Sequence, residues 1–273
     1  MPDDFKICRA CGVEHPLSAV VCDICLDERQ YVPRGGQAWA THAELAAEGV
    51  CTQIREVEEN LFEISTAPSI AIGHRALLAV TPEGNLLWEP IGFLDEAAVS
   101  RIQALGGVRF IAASHPHMFG AQVAWSRALG DAAVLVASLD REWLARPDPV
   151  IEFWEDDVEL LPGVTLARVG GHFPGSAVVH VAAGAGGKGV LLAGDSIMAN
   201  PDGKTVSFMR SFPNRIPLSV KAVETILQRI DRFAYDRLYS NVATAVEEGA
   251  DAAVRASARR HIDWITGAHD DLI

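Results

Sequence analysis

Two histidines, His115 and His117, follow an apolar segment at a spacing that suggests metal chemistry. The segment, residues 107–113, is short and rich in β-formers, which predicts a buried strand. Side chains at positions i and i+2 share one face of an extended chain, whereas they lie about 200° apart on a helix. Pro116 keeps His115 extended. The two imidazoles would converge just past the strand, which is half of a metal site; two unrelated loop histidines are the alternative.

Polar side chains also follow two later strand patterns. His172 comes after the alternating run 164–169 and two glycines, and Asp195 ends the strongly apolar run 190–194. Polar groups at the carboxyl ends of core strands gather in one crevice. We therefore expect His172 and Asp195 to share one metal site with the earlier histidine pair.

Four of the five cysteines lie within the first 25 residues as two Cys-x-x-Cys pairs. This spacing is typical of a closed, tetrahedral four-sulfur zinc site, with a redox dithiol as the alternative. The predicted ligands of this structural zinc are Cys8, Cys11, Cys22 and Cys25. Because acidic residues outnumber basic ones in this segment, we interpret it as a docking or stabilising element rather than a reader of phosphates.

The 273 residues are 49% hydrophobic and carry a formal net charge of −13. This composition supports a sizeable core and argues against partnership with nucleic acid or an anionic membrane. No run of 18 apolar residues is present, and the acidic start does not resemble a signal peptide. We expect a soluble, cytoplasmic protein with a small-molecule substrate; the pattern leaves a homo-oligomer open.

A Pro-Arg-Gly-Gly sequence at residues 33–36 predicts a domain boundary. We expect a zinc-ribbon-like segment at residues 1–36 and one large α/β domain at residues 37–273. His74 falls within a predicted strand, which favours a packed histidine over a ligand. Strands are predicted at residues 60–64, 70–80, 86–88, 107–113, 133–136, 164–169 and 190–194, and helices at residues 38–48, 96–105, 118–129 and 218–230. Asp95 is the predicted cap of the helix at residues 96–105, and the helix at residues 218–230 is predicted to pack through one apolar face. Residues 184–189 are predicted to form a hairpin turn.

Three motifs together resemble the metallo-β-lactamase superfamily of metal-dependent hydrolases, over about residues 48–266 and without the ribbon. They are Ser114-His115-Pro116-His117, the stretch Gly170-Gly171-His172-Phe173-Pro174-Gly175-Ser176, and Leu192-Ala193-Gly194-Asp195-Ser196. The resemblance implies a four-layer αββα sandwich in which two mixed sheets pack face to face with helices outside. It also implies that His115, His117 and His172 hold the first metal and that Asp195 matches the carboxylate that bridges two metals.

The chain departs from the family pattern at the residues that would hold a second metal. The first family motif runs His-any-His-any-Asp-His, but Phe119 and Gly120 occupy the last two positions here. The late family histidine is also missing, because the comparable strand exit at residues 238–241 has none. His261 and His269 lie in a predicted terminal helix and are not expected to be ligands. The prediction is one metal rather than two.

A mononuclear site is compatible with hydrolysis. Zinc held by three histidines lowers the pKa of bound water to about 7 and polarises a carbonyl, so zinc-bound water could attack an ester, thioester, lactone or amide. Asp195 is either a fourth ligand or the catalytic base. If Asp195 is a ligand, four protein groups saturate tetrahedral zinc, and an ion of higher coordination number, iron or manganese, becomes the alternative.

Two other functions are compatible with the same residues. A non-haem iron oxygenase resembling the sulfur dioxygenases of this superfamily would use His115, His172 and Asp195 as a facial triad. A degenerate member of the family would bind a ligand or partner without catalysis. Arg210 and Arg215 could contact an anionic substrate group, although ordinary surface arginines are the simpler interpretation.

Overall fold

The computed structural model describes residues 4–242 and 244–272, and the chain divides into two units. The first unit extends to Glu155, and the second begins at Asp156. No helix of the described residues is long and apolar enough to span a bilayer.

The first unit contains the ribbon, a large mixed sheet and short helices. Its strands are β1 (Phe5–Cys8), β2 (Glu14–Pro16), β3 (Trp39–Ala40), β4 (Cys51–Glu58), β5 (Leu61–Ala67), β6 (Ala76–Thr81), β7 (Gly84–Trp88), β8 (Phe110–Ala112), β9 (Ala133–Ala137) and β10 (Ile151–Trp154). Its helices are α1 (Asp23–Leu26), α2 (His42–Ala47), α3 (Glu96–Ala104) and α4 (Gln122–Ala128), with 3₁₀ turns at Pro116–Met118 and Ser138–Trp143.

The large sheet of the first unit has the strand order β10-β9-β8-β7-β6-β5-β4. Strands β4 to β7 form an antiparallel meander, and β7, β8, β9 and β10 run parallel to one another. As predicted, Asp95 caps α3 by accepting a hydrogen bond from the Ala98 N–H at 2.8 Å. Because β7 and β8 are parallel, their carboxyl ends lie at the same edge of the sheet.

The ribbon forms a small sheet with the strand order β2-β1-β3. Its apolar side chains, including Phe5, Ile7 and Ile24, belong to the same hydrophobic cluster as Leu87 and Trp125 of the large-sheet region. A segment of this size cannot bury a core of its own. The ribbon therefore folds onto the body of the first unit, while the exact boundary at residue 36 stays a prediction.

The second unit contains a six-stranded sheet, two hairpins and three helices within the described residues. Its strands are β11 (Val158–Leu161), β12 (Val164–Arg168), β13 (Ala177–Val181), β14 (Val190–Leu192), β15 (Met198–Ala199), β16 (Val206–Ser207), β17 (Met209–Ser211), β18 (Ile216–Pro217), β19 (Arg237–Tyr239) and β20 (Ala245–Val246). Its helices are α5 (Gly184–Gly187), α6 (Val220–Ile230) and α7 (Ala250–Ile265), followed by a 3₁₀ turn at Asp270–Leu272.

The sheet of the second unit has the strand order β11-β12-β13-β14-β19-β20. Its strands pair antiparallel except for β14 and β19, which are parallel. Helix α6 matches the predicted packing helix, because Val223, Ile226 and Ile230 are buried on one face. Residues 184–189 connect the antiparallel strands β13 and β14, as predicted for a hairpin, through one short helical turn.

Several predicted elements are shorter than expected or differ in type, and three show the physical reason. The predicted helix at residues 38–48 contains β3 before α2. The predicted strand at residues 70–80 begins only at Ala76, because Ala71 and Gly73 have positive φ angles that a strand does not allow. The predicted helix at residues 118–129 begins at Gln122, because Gly120 has φ +50° and interrupts the helix after the 3₁₀ turn.

His74 is a packed histidine, as the sequence predicts. It is buried, and its Nε2 lies 3.3 Å from the carbonyl oxygen of Pro90, so this nitrogen carries the donated proton. Burial lowers the pKa of His74 to about 4, against the smaller opposing effect of the Pro90 hydrogen bond. The folded state therefore keeps His74 neutral at a pH where the unfolded chain takes up a proton.

We predict that His74 makes the protein acid-sensitive. Folding lowers the pKa of His74 from 6.5 to about 4. The contribution of neutral His74 to the free energy of unfolding is therefore complete above pH 6.5 and is lost as the pH falls from 6.5 to 4. Relative to His74→Gln, which retains an N–H donor, the wild type should lose about 2 kcal/mol between pH 7 and pH 5. Urea unfolding at both pH values measures this difference; an equal loss in both proteins would contradict it.

Candidate metal centre

His115 and His117 lie together in the first unit, just beyond β8. Their rings are buried, with centroids 4.9 Å apart and planes inclined by 74°. His115 is extended, with φ −169° and ψ 171°, and Pro116 begins the 3₁₀ turn that carries His117. Ser114 Oγ lies 2.7 Å from Nδ1 of His115, which orients that ring. The structure therefore brings the predicted pair together through the extended-then-turned backbone that Pro116 favours.

Gly120 and Phe119 occupy the positions of the missing second-metal ligands. Phe119 is buried. A Cβ atom on Gly120 would overlap the carbonyl oxygen of Pro90, and the φ angle of +50° is also unfavourable for other residues. The backbone at Gly120 leaves no room for any side chain, and hence none for a histidine.

The four ribbon cysteines converge as predicted. Their sulfur atoms lie within 4.8 Å of one another, all four residues are buried, and each Cys-x-x-Cys pair occupies a tight turn. The side-chain amide of Gln37 donates a hydrogen bond of 3.2 Å to Sγ of Cys8. These groups fit a metal site.

His172 lies in the second unit, after β12 and a two-glycine turn. Its Nδ1 is 3.0 Å from the carbonyl oxygen of Met209 on β17. A carbonyl only accepts, so Nδ1 carries a proton and a neutral His172 presents the lone pair of Nε2. A hydrogen bond of this kind from the other ring nitrogen is the usual support of a metal-binding histidine.

The serine of the Gly-Asp-Ser motif joins two strand exits of the second unit. Ser196 Oγ donates to the carbonyl oxygen of Gly170 at 2.7 Å and accepts from the backbone N–H of His172 at 3.1 Å. Gly171 between them has φ +90°, and a Cβ atom there would press on Ile226. These constraints position His172 beside the turn that carries Asp195.

Asp195 lies against His172 in the second unit. Its Oδ2 is 3.5 Å from Nε2 of His172, and its Oδ1 accepts a hydrogen bond of 2.7 Å from the side-chain amide of Asn241. Burial raises the pKa of Asp195, whereas His172 and the Asn241 amide oppose that effect. Two ligands of a tetrahedral ion with bonds of ~2.0–2.1 Å lie roughly 3.3 Å apart, so the spacing of Nε2 and Oδ2 suits a shared ion.

Asn241 is a site residue that the sequence analysis missed. It follows β19, at the strand exit where the family's late histidine was sought, and it is buried. The available signal was a polar side chain directly after an apolar strand, the same signal that identified Asp195. Because only ligand-type side chains were sought, an amide that orients a candidate ligand was overlooked.

The remaining candidates have other contacts. Arg210 donates a hydrogen bond of 3.3 Å to the backbone carbonyl of His172, whereas Arg215 is exposed. His261 bonds to the carbonyl oxygen of Leu218, and His269 lies 4.0 Å from a carboxylate oxygen of Asp263. Arg210 thus reaches the backbone of a candidate ligand, while neither late histidine is among the described groups that could hold a metal.

Each unit contains buried donor groups of the kind that bind metal ions. In the first unit, His115 and His117 supply two buried imidazoles, and a hydrogen bond orients His115. In the second unit, His172 and Asp195 supply an imidazole and a carboxylate, and a hydrogen bond orients each of them. Imidazole and carboxylate donors suit zinc, iron and manganese.

Comparisons with known proteins found a family model and a relative that match this chain. The family model described as "Metallo-beta-lactamase superfamily" matches residues 76–240, which contain all four histidine and aspartate candidates. The protein named "Uncharacterized protein YmaE" from Bacillus subtilis (strain 168) is 40% identical over 263 residues, covering 94% of this chain and 96% of that protein.

Solved structures show the same fold. The structure of VMB-1 has a TM-score of 0.56 and 11% identity, and the match covers 79% of this chain and 98% of that one. The metallo-β-lactamase SMB-1 has a TM-score of 0.53 and 18% identity, with 78% and 95% covered. The predicted α/β fold class of the metallo-β-lactamase type is confirmed. The chain therefore belongs to the metallo-β-lactamase superfamily.

Proposed function

We propose that the protein is a metal-dependent hydrolase in which His115, His117, His172 and Asp195 bind one metal ion. The observation that carries this proposal is the pairing of His172 and Asp195, whose Nε2 and Oδ2 atoms are 3.5 Å apart and whose other polar atoms are held by Met209 and Asn241. The converging rings of His115 and His117 supply the other two donors.

One ion, rather than two, is favoured by the first unit. Two second-metal ligands of the family pattern are absent. Phe119 stands where the pattern has a carboxylate, and Gly120, whose backbone has no space for a side chain, stands where it has a histidine. In the second unit, Asn241 donates to Oδ1 of Asp195 and so engages the oxygen that a bridging carboxylate would offer to a second ion. We therefore propose a mononuclear centre.

A bound zinc, iron or manganese ion would acidify a water molecule and polarise a substrate carbonyl. The Nδ1–H of His172 is committed to the Met209 carbonyl, so Nε2 is the nitrogen that would bind the ion. Asn241 would keep the Asp195 carboxylate in one orientation, with Oδ2 directed toward His172. Asp195 would hold a proton or a ligand position at Oδ2. The proposed substrate is a small ester, thioester, lactone or amide.

The ribbon is proposed to bind a structural zinc ion. Four cysteine sulfurs saturate tetrahedral zinc and leave no open position for a substrate. Because the ribbon residues are too few for a separate core, the ion would supply part of their folding energy. The negative chain charge supports a small-molecule substrate rather than nucleic acid.

Metal analysis tests the centre directly. We expect two metal ions per wild-type chain purified without added metal, and one per chain in His172→Ala, since removing an imidazole ligand weakens that site. His180→Ala is the matched control, because His180 also bonds to a carbonyl oxygen, that of Ala234, at 2.8 Å. Unchanged metal content in His172→Ala would contradict the site. Iron with oxygen consumption would favour the oxygenase over the hydrolase.

Asp195→Asn tests the role of the carboxylate. Loss of its negative charge should lower kcat/KM about a hundredfold or more on any ester, thioester, lactone or amide that the wild type hydrolyses. Metal content measured in parallel separates the two roles: a retained ion indicates a base, and a lost ion indicates a ligand. Wild-type activity in the variant would refute both.

Gly120→Ala tests the steric exclusion at the second-metal position. The added Cβ meets the Pro90 carbonyl at a positive φ angle, so we expect a loss of about 2 to 4 kcal/mol in the free energy of unfolding. Gly107→Ala is the control, because Gly107 also has positive φ but no atom within 4 Å of the built Cβ. It should lose only about 1 kcal/mol. Equal losses in a denaturant titration would remove the steric argument.

A further inference from the structure

Glu14 is a ribbon carboxylate buried against the segment that carries the first histidine pair. Its side chain is 3% exposed. Oε1 accepts a hydrogen bond of 2.5 Å from the backbone N–H of Val123, and Oε2 accepts from the N–H of Ala124 at 3.3 Å. Arg146 donates to the same Oε2 at 2.7 Å. A charged group this deeply buried is stable only with such donors.

The backbone next to Glu14 reinforces this contact. The N–H of Glu14 donates to the carbonyl oxygen of Gly120 at 2.9 Å. Gly12, one residue beyond the ligand Cys11, lies so close to Gly92 that a Cβ atom on Gly92 would overlap the Gly12 carbonyl oxygen. Gly12 of the ribbon thus contacts the chain before β8, and Glu14 contacts the chain after the histidine turn.

Two backbone N–H groups at the start of α4 depend on Glu14 as a distant acceptor. Gly120 has φ +50°, and α4 has no side-chain cap at Ala121. Unpaired N–H groups at the start of a helix require an acceptor when they are buried. For Val123 and Ala124 that acceptor is Glu14, which is more than a hundred positions away in the sequence and three residues from Cys11.

We propose that Glu14 is a positioning residue that couples the metal state of the ribbon cysteines to the order of the turn bearing His115 and His117. When the cysteines hold their ion, β2 is fixed, and Glu14 fixes Gly120 and α4. When the ion is lost, the ribbon loosens and the histidine turn loses its acceptor. Coupling of this kind is reciprocal, so metal binding at the histidines also favours the loaded ribbon. The proposal rests on the proposed function only in taking His115 and His117 as ligands.

Hydrogen exchange on the full-length protein tests the coupling without any variant. An organic mercurial displaces the cysteine-bound ion, and amide exchange is then followed by mass spectrometry. We expect residues 115–128 to exchange about tenfold faster once residues 5–34 lose protection, while residues 164–181 keep theirs. Free exchange of residues 5–34 with unchanged protection of 115–128 would overturn the proposal. This readout does not depend on hydrolase activity or on a metal at the histidines.

Glu14→Gln tests the residue itself. Burial raises the pKa of Glu14 to about 7, whereas Arg146 and the two backbone donors oppose this effect, so the measurement is made at pH 8, where the carboxylate is ionised. We expect exchange of residues 115–128 to increase about tenfold with the ribbon loaded. In a second measurement, the ion at the histidine site is removed while the cysteine-bound ion is kept, and Co²⁺ is then titrated in. Co²⁺ should bind Glu14→Gln about tenfold more weakly than the wild type, with an altered visible spectrum.

Ser126→Ala is the matched control for a merely structural loss. Ser126 lies in the same helix, and its Oγ donates to the carbonyl oxygen of Ala132 at 2.6 Å, away from Glu14. It should lower Tm without changing the Co²⁺ spectrum or affinity. The positioning role is refuted if Ser126→Ala changes the Co²⁺ spectrum and affinity as Glu14→Gln does. It is also refuted if Glu14→Gln changes neither hydrogen exchange nor Co²⁺ binding. If Co²⁺ fails to bind the wild type, the proposed function fails, and the exchange experiment still decides the coupling.

Discussion

The burial of polar donors is the constraint on which the candidate centre depends. An imidazole or carboxylate inside a protein is stable when its polar atoms are hydrogen-bonded or bind an ion. At His172 and Asp195 this requirement is met by Met209 and Asn241, which engage one atom of each side chain and leave Nε2 and Oδ2 facing one another. The same two hydrogen bonds therefore orient the side chains and leave Nε2 and Oδ2 as the atoms that face each other.

Glycines decide which side chains the strand exits can carry. At Gly171 a Cβ atom would press on α6, so the chain turns closely past the helix before His172. At Gly120 the Pro90 carbonyl excludes any side chain at a position where the family pattern has a metal ligand. The same physical property, close backbone approach at positive φ, thus supports one ligand and eliminates another.

The ribbon extends this logic to the first histidine pair. Its apolar residues share a hydrophobic cluster with the large-sheet region, and its Glu14 supplies the acceptor for the buried N–H groups of Val123 and Ala124. A closed four-cysteine site has no chemistry to offer a substrate. The ribbon instead contributes to structure, because Glu14 contacts the segment that follows His117.

The residue types and spacings of the sequence were sufficient for the ligand candidates. Cys-x-x-Cys pairs and His-Pro-His after an apolar strand are local patterns, and local geometry follows from the backbone preferences of few residues. The order of motifs also predicted the fold family, and the cap of α3 and the packing face of α6 followed from their own sequences.

Contacts between distant segments required the tertiary structure. Asn241 bonds to Asp195 across 46 positions, and Glu14 bonds to Val123 across 109. Neither residue is of a type or spacing that marks it locally, and the missing side chain at Gly120 is explained only by the Pro90 carbonyl. The sequence determined which side chains could bind a metal, because ligand chemistry belongs to the residue. Only the folded chain decided what orients them, because a hydrogen bond or a steric overlap depends on where two separate segments meet.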